Sequence, residues 1–98
     1  MQIIFVLKPS LFPLGQIVST PGALTDLKEA DHLPIEFLNR HAKGDWGDLC
    51  AADRQENERS LHEGFRLFSS YTLRNAQKLW IITEHDRSGT TLLLPLEY

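Results

Sequence analysis

Two apolar runs near the end of the chain, KLWIITE (78–84) and TTLLLPL (90–96), lie so close together that few folds can hold both. Near-continuous apolar runs of this length belong to strands that are central or covered on both faces. The connection between them, residues 85–89, is too short for anything but a hairpin. Just upstream, FRLFSSYTL (65–73) alternates Phe65, Leu67, Ser69, Tyr71 and Leu73 with Arg66, Phe68, Ser70 and Thr72, the two-residue repeat of a strand. Residues 74–77 supply a second short turn. The last third of the chain is therefore expected to be a three-stranded antiparallel meander. Pro95 lacks a ladder donor and should end the last strand or place it on an edge.

The preceding two thirds read differently. In TPGALTDLKEA, Thr20 is an N-cap, Pro21 opens the first turn, and Leu24 and Leu27 share a face, which predicts a helix over 21–30. LPIEFLNRHAKG repeats the device with Pro34, puts Ile35, Leu38 and Ala42 on one stripe beside Phe37 and His41, and stops at Gly44. LCAADRQENERSLHEG predicts a third helix, ended by Gly64, with a thin apolar face of Leu49, Ala52 and Leu61 beside Ala51. Residues 16–19 are short and β-branched and read as a strand that widens the sheet. The run 3–7 is a further strand or part of an arm over 1–13, since Pro9 and Pro13 break any regular ladder. The fold class is α+β: two to three helices packed on the C-terminal meander, in one domain over 1–98.

Composition excludes several functions. The net charge is −3, and the ten Lys and Arg are scattered, so the cationic field needed for non-specific nucleic-acid binding is missing. Residues 45–63 are instead locally acidic. One cysteine, Cys50, can neither form an internal disulfide nor hold zinc alone. The run 3–7 is too short for a signal peptide or a membrane span, which leads to the expectation of a cytoplasmic chain with no membrane partner. No nucleotide, zinc-protease or serine-hydrolase motif is present, and no cofactor is expected.

Two polar clusters are left as candidate sites. In HAKGDWGD (41–48), Gly44 fits a left-handed helix stop, Trp46 a core anchor folded back over the second helix, and Gly47-Asp48 a turn into the third. His41, Asp45 and Asp48 would offer three metal ligands, but at a spacing of no closed metal site, so no metal is assigned. In TEHDRSGTT (83–91), Glu84, His85, Asp86, Arg87 and Thr91 gather at the hairpin between the two most apolar strands. If the end of the second helix lies over that hairpin, His41 or His85 as base or acid, Glu84 as partner and Arg87 as anion holder would be the minimum set for metal-independent phosphodiester cleavage. The competing reading makes Asp86 and Gly89 turn formers, and Asp45, Trp46, Asp48, Asp86 and Thr91 contacts of a binding surface.

The strings GDWGDL (44–49), NERSLHEGFRL (57–67), LWIITEHDRSGTTLLLP (79–95) and the final EY resemble a family of short bacterial proteins carried on plasmids, integrative elements and genomic islands. The resemblance covers about 14–98 and leaves the opening arm outside it. It implies an accessory protein of a mobile element, and it carries no mechanism. The function expected is a non-enzymatic interaction module for a host or element-encoded protein, acting through the acidic third helix and an exposed sheet edge, with a homodimer as one arrangement. The alternative is a small toxin-like ribonuclease using the His/Glu/Arg cluster.

Overall fold

The computed structural model describes residues 10–98, so the expected strand over 3–7 lies outside the described residues. The element order is β1 (Gln16–Ser19), α1 (Pro21–Glu29), α2 (Pro34–Ala42), α3 (Ala51–Glu63), β2 (Leu67–Thr72), β3 (Lys78–Thr83), β4 (Gly89–Leu93) and a closing 3-10 turn (Pro95–Glu97). The fold is α+β. β2, β3 and β4 form the antiparallel meander, with Trp80 opposite Leu93 and Thr83 opposite both Leu67 and Thr90. β1 adds parallel to β4 in the order β1-β4-β3-β2. Pro95 lies beyond the last strand, and β4 is internal to the sheet because β1 covers its outer side.

The helix starts follow local chemistry. The Ala23 N–H is donated to the Thr20 hydroxyl at 3.1 Å, and Pro21 fills the first turn of α1. Glu36 accepts the Leu33 N–H at 3.2 Å at the start of α2. Ala23, Leu27, Ala30, Phe37 and Leu38 of the first two helices pack on Tyr71, Leu79, Ile81 and Leu92 of the sheet. A second cluster, Phe12, Trp46, Leu49 and Leu67, fills the other end of the same face. Phe12 is buried and the Leu11 N–H is donated to the Ala42 carbonyl at 2.8 Å, so residues 10–13 are not the loose part of an arm.

α3 keeps part of the expected stripe: Leu49 is buried and Leu61 packs against the second cluster, whereas Ala51 and Ala52 face solvent and the buried residues of the helix are Asn57 and Ser60. That part of its inner face is polar because it meets a strand edge instead of a core. The Asn57 amide donates to the Phe68 carbonyl at 2.6 Å and accepts the Phe68 N–H at 3.1 Å, as a neighbouring strand would. Farther along the same edge, Asp48 N–H is donated to Ser70 O at 2.7 Å and Ser70 N–H to Trp46 O at 3.2 Å. The outer edge of β2 is thus closed by one side chain and one loop, which blocks edge-to-edge association there. Gly47 makes the loop approach possible. Its φ is +75° and a Cβ would stand 2.0 Å from the Ser70 carbonyl oxygen.

Candidate functional site

His41 sits in the last turn of α2, fully buried, with Phe12 and Trp46 edge-on to its ring at 5.3 and 5.7 Å between centroids. Its nitrogens meet Ser69 Oγ at 2.5 Å and Thr83 Oγ1 at 2.9 Å. The direction of each bond follows from the far end. Thr90 Oγ1 must donate to the Leu14 carbonyl, 2.7 Å away, so Thr83 donates to Thr90 across 2.7 Å. Thr83 therefore accepts from His41 Nε2–H, and Nδ1 accepts from Ser69. Burial, with the positive charge of Arg87 second, pulls the His41 pKa down to about 4. The ring is neutral at ordinary pH and fully hydrogen-bonded. It ties α2 to β2 and β3 directly and, through Thr83, to Thr90 of β4, and it is shut off from solvent.

The end of α2 and the β3–β4 hairpin do come together, as the ribonuclease reading requires, since His41 touches Thr83 and the Arg87 guanidinium lies 5.7 Å from the Phe12 ring centroid. Their polar groups do not share a cleft. Arg87, at φ 60°, spends its donors on backbone carbonyls: Phe65 at 2.6 Å, Glu84 at 3.0 Å, His85 at 3.2 Å and Ser60 at 2.9 Å. It clasps the end of α3 to the hairpin. Glu84, His85 and Asp86 are exposed in the turn. Asp86 accepts the Ser88 N–H at 3.0 Å, and its bonds to Ser88 hold its carboxyl below the usual range. Thr91 lies in β4 on the face opposite Thr90, paired with Ile82.

The GDWGD loop has its own partners. Asp45 pairs with Arg40 at 2.7 Å and accepts the Gly47 N–H at 3.2 Å; the bond to Arg40 is the main cause of its lowered pKa. The Arg40 guanidinium stacks 4.6 Å above Tyr71, whose hydroxyl donates to the Asp45 carbonyl at 2.7 Å. Burial pushes the Tyr71 phenol pKa up. Asp48 accepts from Thr72 at 2.7 Å, the main cause of its lowered pKa, with Lys78 at 3.5 Å. Trp46 is a core anchor, as expected, and donates from Nε1 to Glu58 at 3.2 Å. Gly44 takes the left-handed conformation expected of it, at φ +82°. Gly47-Asp48 pair with β2 instead of forming only a turn, and Cys50 is the N-cap of α3. No group of three His, Cys, Asp or Glu side chains that could hold a metal occurs among the described residues.

A concave surface opens on the opposite face of the sheet. It is a groove of about 440 Å³ between α3 and the face bearing Phe68, Trp80 and Ile82. Asp53, Glu56, Asn57 and Ser60 form the α3 wall, and Phe65, Arg66 and Tyr98 close the far side. Trp80 stands edge-to-face with Phe68 at 5.0 Å and with Tyr98 at 5.7 Å. Phe65 and Tyr98 remain well exposed although both are large and apolar in body. The sequence marked the acidic helix. It did not reveal the groove, because Phe68 and Trp80 belong to strands that read as central or covered until α3 is known to lie along the β2 edge.

Compared with protein-family models, curated proteins and solved structures, the chain matches none. No helix of the described residues is long and apolar enough to cross a membrane.

Proposed function

We propose that the protein is a non-enzymatic interaction module, an accessory protein of a mobile element, that seats part of a partner protein in the groove between α3 and the sheet. The supporting observation is a concave surface floored by Phe68, Trp80 and Ile82 and walled by carboxylates. Its volume falls within the range of concave sites that enclose a ligand group. Aromatic anchors with a polar rim are the usual energetic centre of protein interfaces. The ribonuclease reading draws no comparable support, because His41 is sealed from solvent and Arg87 is committed to four carbonyls.

Photo-crosslinking tests the proposal. With benzoyl-phenylalanine in place of Phe65, irradiation of cells from the native source should give a discrete adduct with a second protein. The same group in place of Val18, on the outer strand at the far side of the sheet, should give none. Adducts from position 18 alone, including adducts with a second copy of this chain, would move the interface to the β1 edge. Absence of adducts at both positions would overturn the reading.

A further inference from the structure

The groove has walls of a particular chemistry. Trp80 meets Phe68 at an interplanar angle of 84° and Tyr98 at 68°, so the rings stand steeply inclined to one another instead of lying as one flat apolar surface. Rings of this kind present negative faces that attract cations. The chain's own arginines already use the outer members of the set: Arg59 lies over Phe65 and Arg66 over Tyr98, each with its guanidinium carbon 5.6 Å from the ring centroid. Trp80 and Phe68, deeper in the groove, have no such partner among the described residues.

The carboxylates complete the arrangement. Glu56 is engaged by Arg59 at 3.6 Å, whereas Asp53 forms no salt bridge among the described residues. α3 as a whole carries Asp53, Glu56, Glu58 and Glu63 against Arg54 and Arg59. Arg54 is turned away from the groove, donating to the Leu49 and Gly47 carbonyls at 2.9 and 2.7 Å. Among the described residues that line the groove the one cation is Arg66, and it donates to the Tyr98 hydroxyl at 2.7 Å.

Resting on the interaction reading above, we infer that the groove takes an arginine side chain of the partner, its guanidinium against the Trp80 and Phe68 rings and its charge met by the Asp53 carboxylate. A guanidinium suits this groove better than an ammonium because it is planar, weakly hydrated and able to bind a carboxylate through two N–H groups while stacking on a ring. Charge complementarity also favours it: Arg59 engages Glu56 and Arg66 turns to the Tyr98 hydroxyl, whereas the Asp53 carboxylate forms no salt bridge among the described residues.

The test uses the full chain and capped pentapeptides Gly-Gly-X-Gly-Gly with X as arginine, lysine, norleucine or glutamate, followed by the indole N–H resonances. The arginine peptide should shift the Trp80 signal saturably and leave the enclosed Trp46 signal in place. Norleucine should bind about fivefold more weakly, and Asp53→Asn should weaken the arginine peptide by about threefold, consistent with modest cation–ring and exposed ion-pair interactions. High salt should erode the preference for arginine. Arg66→Ala, which removes a like charge, should tighten arginine binding.

Equal binding of norleucine and arginine would overturn the cation inference while leaving the groove as an interaction site. Preferential binding of the glutamate peptide, lost in Arg66→Ala, would replace the inference with an acidic partner. A preference for lysine over arginine would refute the argument from the guanidinium plane. If no peptide moves Trp80, the inference falls; crosslinking from position 65 then decides the groove separately.

Discussion

His41 is the residue whose surroundings fix its chemistry most tightly. A neutral imidazole accepts from Ser69 and donates to Thr83, and a proton added to Nδ1 would face a hydroxyl already using its hydrogen to reach the ring. The folded-state pKa of about 4 lies below the ordinary 6.5, so between those values the unfolded chain binds more protons than the folded one. Stability is therefore fully present above about pH 6.5 and is lost as the pH falls toward 4. Urea unfolding should lose about 2 kcal/mol from this group between pH 7 and pH 5. A His41→Gln variant, although less stable throughout, should lack that part of the slope. An unchanged pH profile in the variant would show that the imidazole is not the titrating group. The residue was legible in sequence as a candidate, but its role was not, because its partners lie 28 and 42 positions away and are uncharged hydroxyls that no motif marks.

At the scale of elements, the edge of β2 carries the clearest dependence on a single side chain. Asn57 offers one donor and one acceptor to one strand residue, and only an amide of that length supplies both. Asn57→Asp keeps the acceptor for the Phe68 N–H but sets a negative oxygen against the Phe68 carbonyl at 2.6 Å. The expected cost is about 2–3 kcal/mol in urea unfolding, with a rise in concentration-dependent association as the edge opens. A variant of wild-type stability that stays monodisperse in sedimentation would refute this role. The meander, the helix starts at Thr20–Pro21 and Pro34, and the stop at Gly44 could be read from the sequence because each depends on residues adjacent in the chain. The apolar Leu49 and Leu61 contacts at α3 could be read too, but the polar part of its inward face could not. Helical periodicity marks apolar faces, and this helix turns Asn57 and Ser60 toward a strand edge.

Across the whole molecule, the sheet joins a local part to a remote one. β2, β3 and β4 are linked by short turns, whereas β1 pairs with β4 in a register that matches Gln16 with Gly89. That pairing closes a long loop before any reward from it is gained. The meander should form early and β1 should dock late. Ile17→Ala, at a half-exposed site in β1, should therefore leave the folding rate nearly unchanged and speed unfolding by about two- to fivefold in chevron measurements. An equal slowing of folding would place β1 in the nucleus. The sequence suggested that residues 16–19 could widen the sheet, but it gave no sign that they would run parallel beside β4, since only α1, α2 and α3 carrying the chain away and back decide that direction.

The clasp of Arg87 across the Ser60, Phe65, Glu84 and His85 carbonyls gives the groove a fixed width. The guanidinium rivets the end of α3 to the hairpin and Asn57 fastens the middle of the helix to Phe68, so the wall bearing Asp53 and Glu56 is held at two points and does not swing like a jaw. An incoming side chain therefore meets a mould set in advance, and what it gains in contact is not spent on tightening the vessel that receives it.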